Sequence, residues 1–319
     1  MLRRILITLG ALLFAFAAFV GGGLFLAGRA IRALEPPLPS VEQILAVEAS
    51  ADLPVSISWL NTASQKMPRS AVLEASLDPT PDAPYTMSHP AFALEWSDGR
   101  IFLIDAGMDR AAALAFGAPL ESISGADPIQ ALGSTAEKLG LSLRRVSGIA
   151  FTHEHTDHTN GVADLCRLHD AEIRLIQSPL QVEESNYTTR SSQAQLEAAK
   201  CLKHELASGG PLIPVPGFPG LSFFAAAGHT PGSQIFVAHV RGSDGVKIYV
   251  LTGDIVNQID GVRRNLPKPW LYSLLIVPES PARLDTLRRL LAELERDHGA
   301  TLLVSHDQLS LEASGVRAE

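Results

Sequence analysis

Residues 152–161 read THEHTDHTNG, directly after the apolar run Val146–Phe151. A chain with ten histidines places three of them and an aspartate within six positions here. A buried strand that ends in such a cluster forces its histidines and carboxylates toward one point, which a polar surface loop has no reason to do. If the strand runs on through Thr152, His153 and His155 project to the same side, because side chains repeat every two residues. The chain must then turn and bring Asp157 and His158 round to the same place. Imidazole and carboxylate ligands converging at a strand end suit a zinc ion. A zincin helix is excluded, because the second histidine of that motif would fall at Asp157.

The same arrangement recurs along the chain. Apolar or β-branched runs read as strands at PVSISWL, AFALEW, RIFLIDAG, LSFFAAAG, SQIFVAHV, KIYVLTGD and TLLVSHD. Several end in a polar residue able to hold or support a metal: Asp105, His153, His229, Asp254 and His306. Ser97-Asp98-Gly99 reads as a hairpin turn. Helices are expected over about 128–139, 161–170, 191–206 and from Pro281, where Ser280 is the expected cap. Leu284, Leu287, Leu291 and Leu294 form an apolar stripe on the last helix, and Gly299 is its expected stop. Helices crossing between strands indicate a layered α/β fold, whose sites collect at strand ends.

The motifs LIDAG, THEHTDH, AGHTPGS, LTGD and VSHD, in this order over about residues 90–307, resemble those of the metallo-β-lactamase superfamily. The resemblance implies an α/β, four-layer αββα sandwich with a two-metal site at its edge. One metal would take His153, His155 and His229. The other would take Asp157, His158 and His306, with Asp254 bridging both and Asp105 accepting a hydrogen bond from a ligand histidine. Two Zn2+ per chain are expected, with Mn2+ or Fe as alternatives. A metal-bridging hydroxide would open an ester, lactone or similar acyl bond, with Asp157 and Asp254 as the catalytic carboxylates and a lactonase-like reaction favoured. A β-lactam hydrolase, a phosphodiesterase or lipid-ester hydrolase, and an iron-binding redox scaffold are the alternatives. The cluster with its hydroxide keeps a net positive charge, so the expected substrate is a small neutral or anionic molecule. Quorum-sensing lactonases often carry a tyrosine shortly after the bridging aspartate. Here Ile255-Val256-Asn257 follows, so Tyr187 or Tyr272 is the candidate to lean over the site. Glu154 is expected to face away from it, and His89, His169, His204, His239 and His298 are given no chemistry. Trp270, Leu271 and Leu274–Ile276 are read as core or a packed loop, with an apolar substrate wall as the alternative.

The N-terminus differs from the rest. Ile5–Leu26 holds 22 residues without a charge, long enough as a helix to cross about 30 Å of hydrocarbon. Residues 1–34 are expected to be a transmembrane anchor or signal segment, 35–50 a proline-bearing linker and 51–319 the hydrolase domain. The apolar run exceeds a usual signal, so an uncleaved anchor is preferred to cleavage after Ala15-Phe16-Ala17. The flanking arginines slightly favour a cytoplasmic N-terminus, hence a membrane-anchored periplasmic domain. The net charge of −8 argues against a nucleic-acid partner. Cys166 and Cys201 are read either as one disulfide or as two buried thiols.

Overall fold

The computed structural model describes residues 2–47 and 52–319, and residues 48–50 of the expected linker lie outside them. The strands are β1 (Ser56–Lys66), β2 (Thr86–Glu95), β3 (Ile101–Ile104), β4 (Gln130–Ala131), β5 (Val146–Ala150), β6 (Ile173–Gln177), β7 (Leu202–Leu206), β8 (Ile213–Pro214), β9 (Leu221–Ala225), β10 (Gln234–Gly242), β11 (Gly245–Leu251), β12 (Thr301–Leu303) and β13 (Arg317–Ala318). One sheet runs β13-β1-β2-β3-β5-β6-β7, with β4 paired to β1, and the other runs β12-β11-β10-β9-β8.

The sheets face each other through Trp59, Phe92, Leu94 and Phe102 of the first and Phe223, Phe236, Ala238 and Leu251 of the second. Fully burying one such side chain contributes about 2–3 kcal/mol, so this interface holds the sandwich together. Outside the second sheet lies the Pro281–His298 helix, its Leu284, Leu287, Leu291 and Leu294 packed on Ile235, Val237 and Val250. Outside the first lie shorter helices contributing Ala136, Val162, Leu165 and Leu196. Four layers, αββα, result. The order of β3, β5 and β6, all mutually parallel, stacks the ends of β3 and β5 side by side, which sets Asp105 next to the THEHTDH segment.

Some local expectations are corrected. The helix expected over 128–139 is confined to Thr135–Leu139. Gln130–Ala131 instead pairs with Ala63 and Ser64 of β1, and Gly133, at φ +99°, bars a continuous helix. The helix expected over 191–206 ends at Ala198, and Leu202–Leu206 joins β6 as a parallel edge strand. A helix over Arg110–Ser124 was not expected, although Asp109 caps it onto the Ala112 amide and Gly125 ends it in the left-handed region. Ser280 stands at the N-cap of the last helix without a side-chain cap. Cys166 and Cys201 form a disulfide across a separation of 35 residues, a closure that contributes roughly 3–4 kcal/mol in the chain-entropy account.

Near the N-terminus, an apolar helix extends over Leu2–Arg32. Its Thr8–Arg32 portion holds an 18-residue window of mean hydropathy 2.2 and is long and apolar enough to cross a membrane. Gly28 and Ile31 in its last turns are buried, so its C-terminal end rests on the globular body.

Candidate metal centre

β5 stops at Ala150, before the cluster, so His153 and His155 are delivered by irregular backbone and not by a continued strand. A short helix over Thr156–Thr159 then turns Asp157 and His158 inward. Two backbone features make the turn possible. Asp105 sits at φ +62°, a strained geometry for an ordinary residue, and receives hydrogen bonds from Thr152 N at 2.8 Å and Thr152 Oγ1 at 2.9 Å. Gly253 sits at φ +50°, and a Cβ there would meet the Thr152 Cβ at 2.8 Å. Only glycine lets the segment bearing Asp254 approach THEHTDH so closely.

The seven residues singled out in the sequence come together, contributed by the ends of both sheets. His153, His155, His229 and Asp254 form one group with ligand-capable atoms within 4.8 Å of one another, and His158, Asp254 and His306 form another. Asp254 belongs to both. Its Oδ2 lies 3.6 Å from His229 Nε2 and 3.1 Å from His306 Nε2, and its Oδ1 lies 3.2 Å from His158 Nε2. Asp157 Oδ2 stands 3.4 Å from His306 Nε2 and 3.8 Å from His158 Nε2.

The hydrogen bonds around the cluster assign the tautomers. His158 Nδ1 donates to Asp105 Oδ2 at 2.8 Å, and His306 Nδ1 donates to the Ser88 carbonyl at 2.7 Å. His229 Nδ1 donates to Glu279 Oε1 at 2.6 Å. Thr188 gives its hydroxyl proton to Asn186 Oδ1, so at 2.8 Å it accepts from His155 Nε2. Thr152 gives its own to Asp105 and accepts from His153 Nδ1 at 3.2 Å. Every outer nitrogen is thus engaged as a donor, so with the rings neutral all five inner nitrogens present lone pairs to the space that the carboxylates also face. Such an assembly is repulsive by itself and is satisfied by cations. The donor set of imidazole and carboxylate suits divalent transition metals.

Electrostatics divide the histidines. Burial lowers His153, and neighbouring His158 lowers it further, well below the usual value; burial and His229 bring His155 down to about 3. Burial also acts against charge on His158 and His306, but Asp105, Asp157 and Asp254 outweigh it at the first, and Asp254 and Asp157 at the second, so both are raised. For Asp254, burial opposes ionisation, yet His306, His153 and His158 hold it well below the carboxylate range.

Other residues of the site were missed from sequence. His89 does have a converging partner: its Nδ1 lies 3.2 Å from Asp157 Oδ2, and its ring packs edge-on against His306 at 4.9 Å. Glu279 and Lys268 are both buried. Lys268 Nζ donates to the Asp254 carbonyl at 2.6 Å and to Glu279 Oε1 at 2.7 Å. Burial works to raise Glu279, but Lys268 and His229 pull it down to about 2. A lysine beside prolines and an acid before a helix cap carry no pattern that marks them. Glu154 faces away from the cluster, as expected, accepting from Gln177 Nε2 at 2.7 Å. His169, His204 and His239 bond to carbonyls or amides of the scaffold. Trp270, Leu271 and Leu274–Ile276 are exposed, not core.

A sandwich of this layering with a buried histidine–aspartate cluster at its strand ends defines a metal-dependent hydrolase. The chain belongs to the metallo-beta-lactamase superfamily, whose family model matches residues 86–306. No curated protein matches this sequence. Among solved structures it is similar to an N-acyl homoserine lactone hydrolase with the product N-hexanoyl-L-homoserine bound at its catalytic metal centre, at 16% identity and a TM-score of 0.59, covering 83% of this chain and 98% of that one. It is also similar to a probable metal-dependent hydrolase from Staphylococcus aureus, at 16% identity and TM-score 0.55, covering 81% and 91%. The dizinc quorum-quenching lactonase AidC aligns at 14% identity and TM-score 0.54, covering 80% and 89%. At these identities the likeness speaks for the fold.

Proposed function

We propose that this chain is a dinuclear zinc hydrolase that opens an ester, lactone or similar acyl bond. The observation that carries the reading is the set of five imidazoles whose outer nitrogens are all occupied as donors, leaving five lone pairs directed inward with two carboxylates. His153, His155 and His229 would hold one ion, Asp157, His158 and His306 the second, and Asp254 both. Bound divalent ions supply a water of lowered pKa and positive charge against a developing oxyanion. The chain's own groups do the rest. Asp105 and Glu279 fix the rings of His158 and His229. Lys268 offsets the buried charge of Glu279. Burial works to raise Asp157, but His158 and the hydrogen bond from His89 outweigh it and hold it well below the usual range, so it stands ready as the ionised carboxylate that a metal would need. The lactonase-like neighbours favour an acyl lactone as substrate.

The Thr8–Arg32 helix is read as a membrane anchor that leaves the catalytic body outside the cytoplasm, where the Cys166–Cys201 disulfide is also at home. A panel of acyl lactones, thioesters, phosphodiesters and a chromogenic β-lactam, each with and without chelator, tests the reaction. Turnover confined to acyl substrates, lost with chelator and in His155→Ala, is the expected result. Chelator-resistant turnover, or none on any substrate, refutes the reading.

A further inference from the structure

The segment from Lys268 to Glu279 has two faces. Its inner face is fastened to the site: Lys268 to the Asp254 carbonyl and Glu279, Ser273 Oγ to Glu279 Oε2, and the Tyr272 ring 5.3 Å from Lys268 Nζ. Its outer face, built on a π-helical turn over Tyr272–Ile276, is exposed and apolar: Trp270 63%, Leu271 48%, Leu274 42%, Leu275 50% and Ile276 55% accessible. A cluster of this kind on a folded surface marks a contact with something apolar. The wide turn lets these side chains splay outward, and π-helical geometry is concentrated at functional sites.

The occupant is indicated by what adjoins the turn. The membrane-length N-terminal helix lies against it. The chain leaving that helix is tied to the site as well, because Arg283 donates to the Pro36 carbonyl at 2.7 Å and to the Ala226 carbonyl at 2.8 Å, three residues before His229. On the other flank, the Tyr187 hydroxyl donates to the Ile276 carbonyl at 3.4 Å, and the next residue, Thr188, holds His155. Anchor, apolar turn and the partly exposed edge of the site are therefore contiguous. A tryptophan followed by leucines and an isoleucine is the composition of a lipid–water boundary.

We propose that the Trp270–Ile276 turn dips into the same bilayer that the N-terminal helix enters, so that the site opens at the lipid–water boundary and takes acyl substrates whose alkyl tail is dissolved in the membrane. The proposal rests on the acyl-hydrolase reading for the bond cleaved, while the docking surface stands on its own geometry.

The test uses the full chain reconstituted in phospholipid vesicles. Trp59 and Trp96 are buried at 4% and 1% accessibility, so the exposed indole of Trp270 can be isolated as the difference between the wild type and Trp270→Phe. Lipids brominated along the acyl chain are expected to remove most of the Trp270 emission, while aqueous iodide leaves it. The reverse pattern overturns the proposal. Emission sensitive to neither quencher means the patch is covered by another copy of the chain, which also overturns it. A full chain that does not float with the vesicles refutes the anchor and the proposal together. For the wild type in vesicles, kcat/KM is expected to rise with acyl tail length; a flat series refutes the substrate class. Absence of turnover on every acyl substrate with bromolipid quenching intact refutes the hydrolase reading and leaves the docking surface standing.

Discussion

His158 Nε2 and His306 Nε2 face each other at 3.4 Å, although both rings have already committed their Nδ1 protons to other acceptors. Nitrogens at that separation, inside a buried site, need a positive charge between or beside them, a metal ion or a proton drawn by Asp254 and Asp157. Metal removal is therefore expected to cost stability as well as activity. Elemental analysis should give close to two ions per chain. Chelation should lower Tm by about 5–15 °C, as loss of a ligand held far above its Kd does. An unchanged Tm with metal demonstrably gone would remove the basis for the site.

Asp105 touches no space between the ligands, yet three hydrogen bonds converge on its carboxylate from Thr152 and His158. Asp105→Asn keeps the shape, and asparagine tolerates the left-handed backbone at φ +62°. The charge that fixes the His158 tautomer is lost. Metal affinity, measured by competition with a chromogenic chelator, should fall about 10–100-fold with far-ultraviolet circular dichroism unchanged. Wild-type affinity in this variant would assign Asp105 to the fold alone.

Burial raises Glu154 from 4.5 to about 7. A carboxyl group harder to ionise in the folded state than in the unfolded one favours folding fully at low pH, and this contribution disappears as pH rises from about 4.5 through 7. The change amounts to as much as about 3 kcal/mol. Glu154→Gln retains an acceptor for Gln177 and cannot ionise. Denaturant melts should show the variant gaining on the wild type between pH 5 and 8, and parallel curves would contradict the assignment.

Lys268 and Glu279 are a buried ion pair at 2.7 Å. Removing one partner strands the other, at a typical cost of about 3–5 kcal/mol, whereas removing both costs less. Lys268→Met should destabilise strongly. The double variant Lys268→Met/Glu279→Gln should recover much of the loss, because glutamine still accepts from His229 Nδ1. Additive effects in the cycle would show that the pair is not coupled.

How far the sequence could be read follows from where its signals lie. Ligands and the residues that hold them announce themselves at strand ends, since a polar residue interrupting an apolar run is visible without coordinates; Asp105, His229, Asp254 and His306 are all of this kind. His89 was lost because it sits inside β2, before Pro90, with no period to mark it. Lys268 and Glu279 depend wholly on tertiary approach. The segment after Ser191 read as one long helix because its alternation near Leu202 is short, and only pairing with β6 makes it a strand. The Arg110–Ser124 helix, by contrast, carried readable ends in Asp109 and Gly125 that the alanine-rich stretch between them obscured.

The ligand-capable residues are split between two sheets, and the last, His306, follows β12, near the end of the chain. Neither group of coordinating atoms is complete until the second sheet has closed on the first. A partly folded intermediate thus offers only fragments of each set, and loading waits for folding to finish. The ion captured is then chosen by the compartment in which β12 docks, so the metal pool there decides what the site carries.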